Sequence, residues 1–175
     1  MLLAFFIGLA LILGFDQITK YVAVLKLMQV RTLPLIPEVF HLTYVENSGA
    51  GFGIFQDFTW LLAVFSAVVA AALIGYVLWK KPKHPCLVTA LTFLCGGALG
   101  NLIDRIRLGY VVDFLDFTLI DFPVFNVADC FVTVGAILLA VYIIWFSEDG
   151  NQAGKMDKAV SNEKTEKAEK TDEGE

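Results

Sequence analysis

Four long, nearly charge-free segments constrain this chain more than any other feature. A helix needs about 20 apolar residues to cross about 30 Å of hydrocarbon. Trp60–Trp79 supplies twenty residues without a charge, with a Trp at each end, where interfacial aromatics belong. Cys86–Ile103 supplies eighteen, and Val124–Phe146 is apolar except for Asn126 and Asp129. The first segment, residues 2–27, is apolar through Phe15 and then carries Asp16, Gln17 and Lys20. It lacks a basic n-region and a small-residue cleavage site, so a retained helix is expected rather than a cleaved signal peptide.

Composition agrees. Hydrophobic residues make up 57% and charged residues 18% of the 175, against about 45–50% and about 25% in soluble domains. Residues 147–175 hold nine acids and five lysines, so most of the net charge of −5 belongs to the tail. A soluble globular domain and a nucleic-acid binder with a basic footprint are therefore excluded. Cys86, Cys95 and Cys130 are too few, and too deep in apolar runs, for a disulfide scaffold. The expectation is a membrane body over 1–146, with spans at about 2–27, 60–79, 86–103 and 124–146. Residues 147–175 form a charged tail with too little apolar surface to order itself.

Orientation follows from the loop Lys80-Lys81-Pro82-Lys83-His84-Pro85, which packs three lysines between spans two and three. The positive-inside rule puts that loop, and with it both termini, in the cytoplasm. The longer loops, about 28–59 and 104–123, then face outward, with Arg31 and Arg107 as minor exceptions to the charge bias. Val39–Val45 is rich in β-branched and aromatic residues and runs into the turn-like Glu46-Asn-Ser-Gly49; Tyr110–Phe117 reads similarly. Both are expected strands.

Ionisable groups inside a span are expensive and mark function or structural pairing. Here they share a depth. Asp16 and Lys20 fall about 21 Å above the cytoplasmic start of span one, and Asn101 about 22 Å above that of span three. Asp104 and Arg105 follow one turn higher, while Asn126 and Asp129 open the descending span four. The pairs Asp16–Lys20 and Asn101–Arg105 are spaced i,i+4 and Asn126–Asp129 i,i+3, so each projects from one side of its helix. Such pairs can simply tie helices together in lipid. That reading suits Asp16–Lys20 better than Asp129, which has no basic residue within a turn. Gly96, Gly97 and Gly100 suit close helix packing, and Gly49, Gly51 and Gly53 a sharp turn near a ligand or the membrane surface.

Elimination narrows the chemistry. His41 and His84 are the only histidines and fall on opposite membrane faces, so neither a metal site nor a Ser–His–Asp triad is expected. Nothing local positions a Ser48–Lys20 pair. Cys95 and Cys130 lack an activating base. Paired carboxylates survive. Two of them at a partly dehydrated site share a proton, because ionising both is disfavoured. Asp113 sits just past the outer end of span three and Asp129 near the outer end of span four. Asp104, Asp116 and Asp121 remain rivals by composition, either as solvated loop acids or, for Asp104, as a partner of Arg105 or Arg107.

In order along the chain stand Asp16-Gln-Ile-Thr-Lys20, Glu46-Asn-Ser-Gly-Ala-Gly-Phe52, Gly96-Gly-Ala-Leu-Gly-Asn-Leu-Ile-Asp-Arg105, Val111-Val-Asp-Phe114 and Phe125-Asn-Val-Ala-Asp129. At these residues the chain resembles lipoprotein signal peptidase (signal peptidase II), the bacterial aspartic peptidase of prolipoprotein maturation. Gly51 is a small departure in the second block. The resemblance implies that Asp113 and Asp129 are the catalytic dyad and that Asp16, Lys20, Asn47, Asn101, Arg105 and Asn126 shape or support substrate binding. It implies an all-α membrane fold of four transmembrane helices, with a small extracytoplasmic β-cradle and a peripheral helix built from the outer loops. The implied substrate is a diacylglyceryl-modified prolipoprotein, cleaved before its lipidated cysteine in the bacterial cytoplasmic (inner) membrane, near the extracytoplasmic face. No cofactor, metal or nucleic acid is expected; membrane lipids are the surroundings and a monomer the expected state. A small transporter or ion pathway is the alternative, weakened by the lack of internal repeats.

Overall fold

A computed structural model describes residues 1–49 and 58–146 of the chain. The tail and the expected turn glycines Gly51 and Gly53 lie outside the described residues. Four helices form where the apolar runs fall: α1 (Leu2–Leu27), α2 (Thr59–Lys80), α3 (Pro85–Leu108) and α4 (Val127–Trp145). Each is long and apolar enough to cross a membrane.

Their ends have local causes. Pro85 opens α3, where its missing N–H costs nothing. Gly109, at φ +82°, closes it by returning its N–H to Arg105 O at 3.1 Å. Asn126 caps α4 in a reciprocal capping box with Asp129. The structure differs from the expected outer loop at α3, which runs through Asp104, Arg105 and Arg107 to Leu108. The helix survives those charges because Asp104 is neutralised by Lys20 of α1 at 2.9 Å. Arg107 accordingly belongs to the last helical turn and not to a loop.

Helix α3 is the axis of the bundle. Twelve of its residues are buried, against two each in α2 and α4, and α1, α2 and α4 all pack on it. Large apolar side chains such as Leu11, Phe65, Trp79 and Ile144 point outward, as lipid contact requires. The glycines of α3 are where its neighbours come closest. A methyl group at Gly97 would strike the carbonyl oxygen of Ala128, and one at Gly100 would meet Asp16 Oδ2 at 2.6 Å. Both clashes are with atoms that cannot retreat. Gly97→Ala is therefore expected to push α4 off α3 and destabilise the protein by about 1–3 kcal/mol, read as a lower midpoint in thermal unfolding of purified protein. An unchanged midpoint would mean that the two helices have room to slide.

The outer segments form one antiparallel sheet ordered β1 (Thr32–Ile36), β2 (Phe40–Asn47), β3 (Val111–Asp116), followed by a 3-10 turn at Thr118–Ile120. It stands on the end of α1 through a cluster of Ala23, Leu27, Tyr44, Val112 and Phe114. A second cluster, including Phe5, Leu9, Val77 and Leu91, fills the opposite half of the bundle. β2 extends past the expected Val45 to Asn47, because Glu46 and Asn47 pair with Val112 and Val111. β1 has no counterpart in the sequence reading: it contains Pro34, which an edge strand tolerates.

Candidate active site

The register of β2 on β3 sets the first contact. Asn47 faces Val111 and Val45 faces Asp113, which makes Asn47 and Asp113 diagonal neighbours on one face of the sheet. Asn47 Nδ2 accordingly donates to Asp113 Oδ2 at 2.8 Å, while its own Oδ1 accepts from Gly49 N–H at 3.0 Å and starts the turn. The other oxygen, Asp113 Oδ1, accepts from Asn126 Nδ2 at 2.6 Å.

Asn126 holds both carboxylates. Its backbone N–H donates to Asp129 Oδ2 and its Oδ1 accepts from Asp129 N–H, each at 3.1 Å. Asn101 on α3 completes the ring, with Nδ2 donating to Asp129 Oδ1 at 2.8 Å. Its Oδ1 in turn accepts from Asn126 Nδ2 at 3.1 Å and from Lys20 Nζ at 2.8 Å. Those two donors fix the orientation of the Asn101 amide and leave its NH2 for Asp129. Lys20 also bridges Asp16 at 3.1 Å and Asp104 at 2.9 Å, and all three side chains are buried.

A cavity of about 590 Å³ opens on this ring. Asn47, Asn101, Arg105, Asp113 and Asp129 form its polar wall. Ile120, Phe122, Cys130 and Val134 contribute to an apolar one. Arg105 reaches Gly49 O at 3.3 Å through Nη2, while its Nε is buried without a hydrogen bond. Asp113 is 2% exposed. Burial first, and the charge of Asp129 second, push its carboxyl up to about 7. Near neutrality Asp113 can therefore still carry its proton, and the hydrogen bonds to both carboxyls come from amide N–H groups. That arrangement can deprotonate a water with one oxygen and donate a hydrogen bond from the other.

All eight residues singled out from the sequence meet here: Asp16, Lys20, Asn47, Asn101, Arg105, Asp113, Asn126 and Asp129. The rival carboxylates go elsewhere. Asp116 accepts from Thr43 Oγ1 at 2.6 Å, and Asp121 is exposed in a left-handed turn. Asp104 pairs with Lys20 rather than with Arg105 or Arg107. Lys20 is engaged by carboxylates and Asn101, not by Ser48. His41 lies in β2 and His84 at the far end of α3, against Tyr142 and Phe146. Gln17 was overlooked as a site residue, though its amide donates to Asp104 Oδ1 at 2.9 Å. Its place beside Asp16, on the turn that carries Lys20, was the available signal.

The family model described as Signal peptidase (SPase) II matches residues 8–145. A lipoprotein signal peptidase of Caldanaerobacter subterraneus subsp. tengcongensis is 50% identical over 137 residues, covering 78% of this chain and 92% of the relative. That of Clostridioides difficile is 44% identical over 136 residues, covering 78% and 91%. A solved structure described as a bacterial membrane enzyme superposes with a TM-score of 0.75 at 30% identity, covering 83% of this chain and 90% of that one.

Proposed function

This chain belongs to the signal peptidase II family, and from that premise we propose that Asp113 and Asp129 are its catalytic dyad. The protein is a multi-pass membrane aspartic endopeptidase that removes signal peptides from prolipoproteins. The reading as a small transporter or ion pathway gives way to it.

The observation that carries the assignment is that one residue, Asn126, binds both carboxylates at the polar edge of a mostly apolar cavity. Asp113, protonated near neutrality, donates to the scissile carbonyl. Asp129 takes a proton from the attacking water and passes it to the leaving amine. Arg105, with buried N–H capacity to spare, faces the substrate chain. The apolar wall suits a diacylglyceryl-cysteine held at the membrane boundary. The proposed reaction runs on the two carboxyls alone, with Lys20 occupied by Asp16 and Asp104. The protein acts as a monomer among the lipids of the bacterial cytoplasmic membrane.

Purified protein incubated with a diacylglyceryl-modified prolipoprotein is expected to release the signal peptide, and to leave the unlipidated precursor intact. Equal cleavage of both would remove the lipid from the specificity. Rate should follow a bell in pH. The pair ionises in two macroscopic steps and only its singly protonated form works, with the alkaline limb near about 7, where Asp113 loses its proton. A profile still rising well above pH 8 would contradict the shared proton.

The lysine loop supports an orientation with both termini in the cytoplasm and the dyad near the outer face. A reporter fused after Lys81 is expected to read as cytoplasmic and one near Glu38 as external. The reverse pattern would put the dyad on the wrong side.

A further inference from the structure

The residue before each dyad aspartate has its backbone N–H held by a buried carboxylate. Val112 N–H donates to Asp104 Oδ2 at 3.2 Å, and Ala128 N–H donates to Asp16 Oδ1 at 3.0 Å. The two carboxylates come from different helices, yet the same ammonium, Lys20 Nζ, binds both. Gln17 reinforces the junction, with Nε2 donating to Asp104 Oδ1 at 2.9 Å and to Asp16 Oδ2 at 3.2 Å. β3 and the start of α4 are thus fastened to one point on α1, each one residue away from its aspartate.

We propose that Asp104 is a positioning residue, which through Val112 fixes Asp113 at working distance from Asp129, with Asp16 fixing the other side through Ala128. The inference rests on the dyad reading. The side-chain amides of Asn47 and Asn126 orient the Asp113 carboxyl but do not hold its backbone. The chain reverses sharply between α3 and β3 at Gly109, and the bond from Val112 back to Asp104 closes that reversal. The Asp104 carboxylate accepts from Val112 N–H, Lys20 and Gln17 together, and of these the bond to Val112 is the one that reaches the dyad.

The test compares Asp104→Ala, Asp104→Asn and Gln17→Leu with the parent and with Asp113→Asn, on purified full-length protein normalised to its folded fraction. Asp104→Ala removes the acceptor, and a misplacement on the scale of 1 Å costs about 100-fold. Its kcat should fall by about that factor while KM stays within about twofold. Asp104→Asn keeps one oxygen for Val112 N–H and should recover much of the loss. Gln17→Leu leaves Lys20 and the carboxylates in place and should lower kcat by a few-fold at unchanged KM.

The pH profile separates positioning from mere folding. The groups facing Asp113 are Asp129 from α4, Lys20 from α1 and Arg105 from α3, with only the neutral Asn47 from β2. If β3 lifts away, Asp113 gains water and moves from Asp129, so the alkaline limb should shift to lower pH in Asp104→Ala and, less, in Gln17→Leu. A parent kcat and profile per folded molecule, with only yield or thermal midpoint reduced, would overturn the inference. Equal damage from Ala and Asn at 104 would do the same. Should Asp104→Ala not accumulate folded, Gln17→Leu decides by the same readouts. Turnover by Asp113→Asn would instead remove the dyad reading, independently of what Asp104 does.

Discussion

Asp113→Asn and Asp129→Asn are each expected to abolish prolipoprotein cleavage while leaving the protein folded in membranes. Proton transfer by a positioned carboxyl accounts for about 10²–10⁴ in rate, and an amide of nearly the same shape can neither give nor take the proton. The two substitutions differ in stability. The folded protein holds the Asp113 proton more tightly than an unfolded chain does, at about 7 against 3.8. Folding is therefore favoured by this group below about pH 4, and that contribution is lost as pH rises through 7. Removing the titrating group should flatten the pH dependence of the thermal midpoint across that window, by about 1.4 kcal/mol per unit. Asp116→Asn and Asp121→Asn, whose carboxyls stand apart from the Asn126 ring, should keep most activity. Robust turnover by either dyad variant would exclude that carboxyl from catalysis.

Depth and period carried the sequence reading far. Apolar length marks the four spans, and the rise per residue places Asp16, Asn101 and Asn126 at one level before any contact is known. The i,i+4 spacing of Asp16 and Lys20 anticipates their ion pair. Pairing across the chain was not legible in the same way. Nothing local in Glu46-Asn-Ser-Gly tells that Asn47 will lie diagonally across a strand pair from Asp113, since that depends on a bulge between Leu42 and Val45. The resemblance supplied Asn47 where periodicity could not. Asp104 was misread for a related reason. On α3 alone its nearest cations are Arg105 and Arg107, whereas its partner arrives from α1 because Gly96, Gly97 and Gly100 let neighbouring helices approach closely. The same approach lets α3 run on past the charges at which a sequence-only span ends.

Lys20→Met should cost more stability than any other single change in the polar cluster. Lys20 is 3% exposed and is the cation bonded to Asp16 and Asp104, which are 0% and 3% exposed. Methionine fills similar space but leaves two buried carboxylates facing each other, and breaking such a group costs about 3–5 kcal/mol. Thermal unfolding of purified protein should show the loss, and adding Asp104→Asn to Lys20→Met should return part of it by removing one of the stranded charges. Full stability in the single variant, or no recovery in the double, would mean that the three groups are not electrostatically coupled. Activity should stay low even in the stabilised double variant. Without Lys20 Nζ the Asn101 oxygen keeps only Asn126 as donor, so the amide is free to turn its NH2 away from Asp129 and release the carboxylate it holds.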